Sequence, residues 1–189
     1  MSRPRSDDKR KAILDAALHV FAERGIASAP TSAISTAAGV AEGSLFTYFK
    51  TKDELMNALY VELRMEFSEY LTEFPHEADA RTRLRYIWDQ YLALGAAHPE
   101  RLKVLAQLRA SGRLFKDEEE PAFALVVALR ATREAAQVSE LRNAPPDYLL
   151  LMFRAQAEMT VEYINANPLK AEFCRELGFQ MVWSGFMGK

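Results

Sequence analysis

The chain has 189 residues, of which 49% are hydrophobic and 26% are charged, so it has the composition of a globular protein and not of a disordered or fibrous one. Its length suits one ordinary domain or two small ones. The 29 Ala and 22 Leu far outnumber the 9 Val and 5 Ile, which means that strong helix formers dominate over β-branched strand formers. The sequence therefore predicts an all-α fold.

The cysteine content and the lack of long apolar runs indicate the compartment. Cys174 is the single cysteine and cannot close an intramolecular disulfide, and the sequence shows neither a run of about 18 apolar residues nor a basic leader followed by an apolar stretch. We therefore expect a cytoplasmic protein with no membrane partner.

The net charge of −2 speaks against a nucleic-acid binder, but the charge is unevenly distributed along the chain. Residues 1–52 carry eight basic and five acidic side chains, a net charge of +3, whereas the remainder carries 16 basic and 21 acidic side chains, a net charge of −5. A basic first part on an acidic body is a modest indication of anion binding, although an ordinary solvated tail would give the same numbers.

Glycines and prolines divide the first part of the chain into segments of helical length. Apolar residues recur at three- and four-residue steps over residues 7–24, which predicts a first helix that Gly25 ends. Thr31 or Ser32 can cap the next helix, a brief one that Gly39 stops.

The remaining helices follow from the same patterns. A second short helix is predicted over residues 43–50, and a long amphipathic helix runs from the Thr51-Lys52-Asp53-Glu54 segment to Pro75. Prolines open or close most of the later segments. We expect these helices near residues 79–97, 99–111, 118–142, 146–166 and 168–186.

The two short helices, separated by residues 39–41, have the form of a helix-turn-helix. Helices this short are unstable alone, so Ile34, Leu45 and Phe49 should pack inward against neighbouring helices. The opposite side of the second helix would then present small and hydroxylated groups, which suit a major groove about 12 Å wide. These exposed residues are Glu42, Gly43, Ser44, Thr47 and Tyr48.

Residues suited to phosphate contacts flank this helix on both sides. Thr31 and Ser32 lie at one helix N-terminus and Lys52 at another, where free N–H groups also favour anions. Each residue alone has an ordinary explanation, since Ser and Thr cap many helices and an exposed Lys is usually just solvated. Their coincidence around one helix predicts a set of DNA-contacting residues, namely Thr31, Ser32, Glu42, Gly43, Ser44, Thr47, Tyr48 and Lys52.

Residues 9–60 resemble the DNA-binding domain of the TetR family of bacterial transcriptional repressors. The resemblance rests on residues 17–25, the Ala37-Ala38-Gly39-Val40 segment, residues 43–49 and the Thr51-Lys52-Asp53-Glu54-Leu55 segment. It implies that DNA is contacted by Thr31, Gly43, Ser44, Thr47, Tyr48 and Lys52.

Two positions depart from the commonest pattern of that family. Glu42 stands where a basic or hydroxylated residue is frequent, and Phe46 stands where tyrosine is usual. Glu42 could accept a hydrogen bond from a cytosine amino group or merely cap the helix, whereas Phe46 could meet a thymine methyl but cannot hydrogen-bond.

The rest of the chain is rich in aromatic and methionine side chains, which either fill a core or line an adaptable ligand pocket. Residues 86–88 and 177–183 are similar to the RamR-like branch of the family, which senses xenobiotics. That resemblance implies that Tyr60, Trp88 and Phe153 face a cavity for a small apolar or aromatic effector. Glu158 could attract a cationic ligand or pair with Arg154 at four residues' distance.

The last two predicted helices carry more apolar surface than one small helical body easily hides, which predicts a homodimer. A two-fold dimer would place two recognition helices about 34 Å apart on a palindromic operator in double-stranded DNA. The side chains concerned are Leu149, Met152, Met159, Tyr163, Leu169, Phe173, Leu177, Met181 and Trp183.

An enzyme is the competing class, and the sequence gives it little support. His19, His76 and His98 are far apart, and no nucleophile, phosphate-loop or metal-binding motif is present, so we predict no catalytic residue, metal or cofactor. An all-α carrier or adaptor that binds apolar ligands without DNA is the remaining alternative. We predict a ligand-responsive repressor with a DNA-binding domain over residues 1–52 and a ligand-binding and dimerisation domain over residues 53–189.

Overall fold

The computed structural model describes residues 6–114, 124–135 and 144–187. Within these ranges the chain is helical and has no strand, which confirms the all-α prediction. The helices are α1 (Ser6–Arg24), α2 (Thr31–Ala37), α3 (Glu42–Tyr48), α4 (Lys52–Glu69), α5 (Ala80–Ala97), α6 (Pro99–Ala110), α7 (Ala124–Ala135), α8 (Pro146–Ala166) and α9 (Ala171–Met187), with a 3-10 turn at Pro168–Lys170.

The chain forms two compact units. The first unit comprises residues 1–65 and 100–119, and the second comprises residues 66–99 and 120–189. Helix α6 therefore belongs to the same unit as α1, α2 and α3, although the sequence gives no signal of this. The domain boundary after residue 52 stays a prediction.

The core of the first unit is built from the apolar faces of its short and long helices. Ile13, Leu14 and Phe21 of α1 are fully buried, as are Ile34 of α2 and Leu45 of α3. This burial supplies the stability that seven-residue helices lack on their own.

Glycine ends α1 and α2 as predicted. Gly25 adopts a φ of 76° and donates its N–H to the Phe21 carbonyl at 2.9 Å. After α2, Gly39 adopts a φ of 65° while its N–H bonds the Thr36 carbonyl and the Val40 N–H bonds the Ser35 carbonyl, at 3.1 and 3.0 Å. This Schellman pattern satisfies the last carbonyls of α2 and fixes the turn into α3.

The predicted cap of α2 is wrong. Pro30 occupies the N-cap position and no side chain caps the helix, so neither Thr31 nor Ser32 acts as the cap. The hydroxyl of Thr31 bonds elsewhere, as described below. By contrast, α4 has a side-chain cap: the Thr51 hydroxyl accepts the Glu54 N–H at 3.1 Å, and the Glu54 carboxylate accepts the Lys50 N–H at 2.7 Å.

Helix α4 is shorter than predicted. It ends at Glu69 and is followed by turn residues, not by helix up to Pro75. Leu71 and Phe74 are nevertheless buried. The apolar spacing beyond residue 69 therefore reflects packing into a core and not helical periodicity.

The second unit is formed by α5, α7, α8 and α9, which pack against one another. Helix α5 begins at a capped end, where the Asp79 carboxylate accepts the Thr82 N–H at 2.8 Å. Of the helix predicted over residues 118–142, the structure describes residues 124–135, and the rest of that prediction lies outside the described residues. Over the described ranges, no helix combines the length and the apolar character needed to cross a bilayer.

Candidate DNA-binding surface and aromatic core

Helices α2 and α3 separate buried apolar residues from exposed polar ones. Leu45 is fully buried and Phe49 nearly so, which turns the other side of α3 outward. On that side Glu42, Gly43 and Thr47 are exposed. Ser44 and Tyr48 are only half-buried and thus less accessible than the pattern predicts.

The two candidate residues at the starts of α2 and α3 bond each other. The Thr31 hydroxyl donates to Oε1 of Glu42 at 3.0 Å, across 11 residues of sequence. Ser32 is exposed, and its carbonyl accepts the hydroxyls of Ser35 and Thr36 at 3.0 and 2.8 Å. The structure therefore brings Thr31 and Glu42 together and leaves the Ser32 side chain facing solvent.

The Lys52 side chain hydrogen-bonds the segment that connects α1 and α2. Its Nζ donates to the carbonyls of Ile26 and Ala29, both at 2.6 Å, and lies 5.7 Å from the centre of the Phe21 ring. An ammonium has three N–H protons, so one remains for a phosphate oxygen. Burial lowers the pKa of Lys52, the neighbouring Arg113 charge lowers it further, and Asp53 opposes both effects.

Two clefts of the first unit share Lys52. One, of about 520 Å³, is lined by residues 27–31, Phe46 and Lys52. Thr31 and Lys52, which were both predicted to contact phosphate, therefore line the same cleft. The other, of about 500 Å³, is lined by residues 25–28, Lys52, and Gln107, Ala110, Ser111 and Arg113 from the end of α6 and beyond.

Sequence reasoning missed two basic residues in α6 and just after it, Lys103 and Arg113, of which Arg113 lines the second cleft. Arg113 forms an ion pair with Asp53 at 3.5 Å, and Lys103 donates to the Ala22 carbonyl at 2.9 Å. Their basic character is visible in the sequence, but their place beside α1 and α4 depends on tertiary packing.

Two of the three predicted ligand-contacting residues meet in the second unit. The rings of Trp88 and Phe153 are fully buried and lie edge to face, with centroids 6.2 Å apart, and Trp88 Nε1 donates to the Arg175 carbonyl at 3.0 Å. Tyr60 belongs to the first unit, where the Arg64 guanidinium lies 5.2 Å from its ring centre.

Tyr91 is a member of the aromatic core that sequence reasoning did not select. Its ring lies 5.8 Å from Phe153 and 5.2 Å from Phe67, and its hydroxyl donates to Glu158 at 2.9 Å. The signal was its position three residues after Trp88, on the same face of α5. Glu158 thus has a hydrogen-bond partner from another helix, which neither reading of its sequence position anticipates.

The aromatic core is closely packed at Gly178. A Cβ placed on Gly178 would lie 2.7 Å from the Trp88 ring and 2.9 Å from the Thr160 hydroxyl. Only a residue without a side chain leaves Trp88 in this position. Among the described residues, no group of three or more His, Cys, Asp or Glu side chains is arranged to hold a metal ion.

Helices α8 and α9 expose a continuous apolar face around a groove of about 590 Å³. Leu169 is fully exposed and Phe173 is 69% exposed. Leu149 is a correction to the predicted set, because it is buried, and Trp183 is half-buried beside the Arg81 guanidinium at 5.3 Å. The remaining exposed members are Met152, Met159, Tyr163, Leu177 and Met181.

The first unit contains a helix-turn-helix with a polar outer face, and the second unit is helical with an aromatic core. Together these features are typical of helix-turn-helix proteins that have a helical carboxyl-terminal domain. Residues 13–59 match the family model described as bacterial regulatory proteins, tetR family. This segment contains α2 and α3, so the helix-turn-helix lies inside the part of the chain that is similar to the tetR family.

Similarity to known proteins is also found over longer parts of the chain. The fatty acid metabolism regulator protein of Bacillus subtilis is 33% identical over 97 residues, which is 51% of this chain and 50% of that protein, so the chain spans about half the length of that relative. A TetR family transcription regulator from Marinobacter aquaeolei has a TM-score of 0.78 at 23% identity, with 97% of both chains covered.

A third relative was solved with a ligand. The regulator FadR from Bacillus subtilis, in complex with stearoyl-CoA, has a TM-score of 0.61 at 20% identity and covers 93% of this chain and 98% of its own. These likenesses show that the chain has the fold of tetR-family regulators over nearly its whole length.

Proposed function

We propose that the chain is a transcriptional repressor that binds a palindromic operator as a homodimer and is released by a small apolar or aromatic effector. The observation that carries the proposal is the α2–α3 pair in a tetR-family domain, with apolar residues inside and Glu42, Gly43 and Thr47 outside. A helix with small exposed groups enters a major groove without steric conflict.

The charge of Lys52 supports a phosphate contact beside α3. Lys52 lines a cleft and keeps one N–H beyond its two carbonyl bonds. Contacts of this kind position a protein on DNA without reading its sequence.

DNA binding is tested with duplexes selected from a random pool. Affinity should fall by roughly 0.9 log unit per phosphate contact for each tenfold rise in salt. Tyr48→Ala should abolish binding to the selected duplex, while Tyr48→Phe, which keeps the half-buried ring, should retain most of it. Failure of the wild-type protein to bind any duplex would contradict the proposal and favour the carrier alternative.

The effector site is proposed around Trp88 and Phe153 of the second unit, whereas Tyr60, the third residue predicted to contact ligand, lies in the first unit. An apolar aromatic cluster with one hydrogen-bonded carboxylate, Glu158, suits an apolar ligand that carries a polar group. Within the family, residues 86–88 and 177–183 favour the RamR-like multidrug-sensing branch, while the stearoyl-CoA bound by the Bacillus subtilis relative makes an acyl chain a second candidate.

Effector binding is tested by tryptophan fluorescence with two probes, stearoyl-CoA and the dye anilinonaphthalene sulfonate. Because linkage is reciprocal, a releasing effector must bind more weakly when the operator duplex is present. Helix α4 runs from Lys52 in the first unit to Glu69 in the second, and His98 alone separates α5 from α6, so the chain has two helical connections along which the sites can be coupled. Equal probe affinity with and without the duplex would exclude this coupling.

The apolar face of α8 and α9 is proposed to bind a second copy of the chain. Several large apolar side chains are exposed around one groove, which is typical of an interaction surface, and the same face on two copies suits a two-fold interface. Phe173→Glu should convert a dimer to a monomer in sedimentation at micromolar concentration. Val127→Glu, at an exposed apolar residue of α7, is the matched control and should stay dimeric.

A further inference from the structure

The carboxylate of Glu42 is held at the start of α3 by a residue of another helix. Glu42 is the first residue of α3 and Thr31 is the first residue of α2. The 3.0 Å hydrogen bond from the Thr31 hydroxyl orients Oε1 of an otherwise exposed side chain. An exposed glutamate normally samples several rotamers, so this bond restricts it to one region of the α3 surface.

The sequence left two roles for Glu42, a helix cap and a contact with DNA. Ala41 occupies the N-cap position of α3, and no side chain caps that helix. Within the part of the chain that the structure describes, Thr31 is the only side chain that bonds the Glu42 carboxylate. A carboxylate has about four acceptor positions, so one bond leaves most of its acceptor capacity for a contact with DNA.

The charge of Glu42 selects what it can contact on DNA. A carboxylate repels phosphate oxygens. It also cannot hydrogen-bond guanine O6 and N7 or thymine O4, because these atoms are acceptors. Two bases present an amino donor in the major groove, but adenine places its N7 acceptor beside the N6 amino group, whereas the cytosine N4 amino group is the known partner of Glu. Thr31 has a single hydroxyl proton and donates it to Glu42, so this proton is not available to a phosphate.

We infer that Glu42 is a specificity-determining residue that reads a cytosine amino group in each half of the operator, with Thr31 as its positioning residue. The inference rests on the proposed DNA-binding function and adds the base that the protein selects. It also gives a chemical reason for the glutamate at position 42, where a basic or hydroxylated residue is frequent in the family.

The first experiment compares the duplexes selected from a random pool by the wild-type chain and by Glu42→Gln. Glutamine has the same shape and can still accept the Thr31 proton, but its amide pairs with adenine. The wild-type pool should contain cytosine at one position of each half-site, and the Glu42→Gln pool should contain adenine there. On matched duplexes the wild-type chain should prefer cytosine at that position by roughly tenfold.

A second pair of variants tests the positioning role. Thr31→Val removes the hydroxyl proton with little change of shape, and the preference at the cytosine position should weaken while every other position stays unchanged. Thr36→Val is the matched control, because the Thr36 hydroxyl bonds the Ser32 carbonyl within α2 and should not affect base preference.

The outcomes separate the inference from the proposed function. If the wild-type chain selects an operator but Glu42→Gln and Glu42→Ala select the same bases at every position, the inference is wrong and the repressor function stands. If the wild-type chain selects no duplex at all, the proposed function fails and the inference fails with it. Circular dichroism of each variant establishes that the helices are intact.

Discussion

The outer face of α2 and α3 and the aromatic core of the second unit place their candidate residues in opposite environments. Glu42, Gly43 and Thr47 are exposed, and the bonds that involve them are one from Thr31 of α2 to Glu42 and one from Thr47 to the Gly43 carbonyl. Trp88 and Phe153 are fully buried and contact each other. The first set can change without loss of the fold, whereas the second set serves as core and candidate ligand site at once.

This difference determines how each candidate site must be tested. Truncation on α3 reports on binding directly, because the removed atoms contribute little to stability. Truncation in the aromatic core lowers stability as well as any ligand response. Conservative changes such as Trp88→Phe, which keep the core filled, are therefore the better probes of the effector site.

The largest effect is expected from Trp88→Ala. Removing a fully buried indole leaves a cavity, so the free energy of unfolding should fall by about 3–5 kcal/mol. Urea unfolding measures this change. Phe46→Ala, at an exposed aromatic residue of α3, is the control and should shift the midpoint far less. Equal shifts for the two variants would contradict the contrast between core and surface.

A smaller loss is expected from Lys52→Met, because the Ile26 and Ala29 carbonyls lose their partner. The free energy of unfolding should fall by about 1–3 kcal/mol, and affinity for the selected duplex should fall with it. Lys50→Met removes the same charge from an exposed residue nearby and should leave stability unchanged. If both variants lose stability equally, the bonds to the α1–α2 link have no structural role.

Thr47→Ala should change stability by less than about 0.5 kcal/mol, because Thr47 is exposed and its hydroxyl bonds only the Gly43 carbonyl of its own helix. The same change should weaken binding to the selected duplex in a fluorescence anisotropy titration. A variant with unchanged duplex affinity would remove Thr47 from the DNA-contacting set.

The smallest effect concerns pH. The Thr82 N–H holds the pKa of Asp79 below its usual value. This carboxylate therefore stabilises the fold above the pKa of the unfolded chain, near 4, and the contribution is lost as pH falls through the lower folded-state value. Asp79→Asn keeps the cap acceptor, so it should match the wild-type chain near neutral pH and lose less stability in acid. If the free energies of unfolding of the two proteins, measured with urea, fall equally as the pH is lowered, Asp79 contributes nothing to the loss of stability in acid.

The sequence by itself determined the helices and the inward and outward faces of α2 and α3. Helical periodicity, the glycines at residues 25 and 39 and the apolar positions 34, 45 and 49 are local features, and each was sufficient to place its element. The end of α4 was misplaced because Leu71 and Phe74 continue the apolar spacing after the helix has stopped.

Only the tertiary structure decided which side chains meet. The Thr31–Glu42 bond, the two carbonyl bonds of Lys52 and the contact between Gly178 and the Trp88 ring join residues that lie 11 to 90 positions apart. Local propensity carries no information about such pairs, because they form only when the helices pack. The sequence therefore predicted the residues of the candidate DNA surface, and packing determined the partners of Thr31, Glu42 and Lys52.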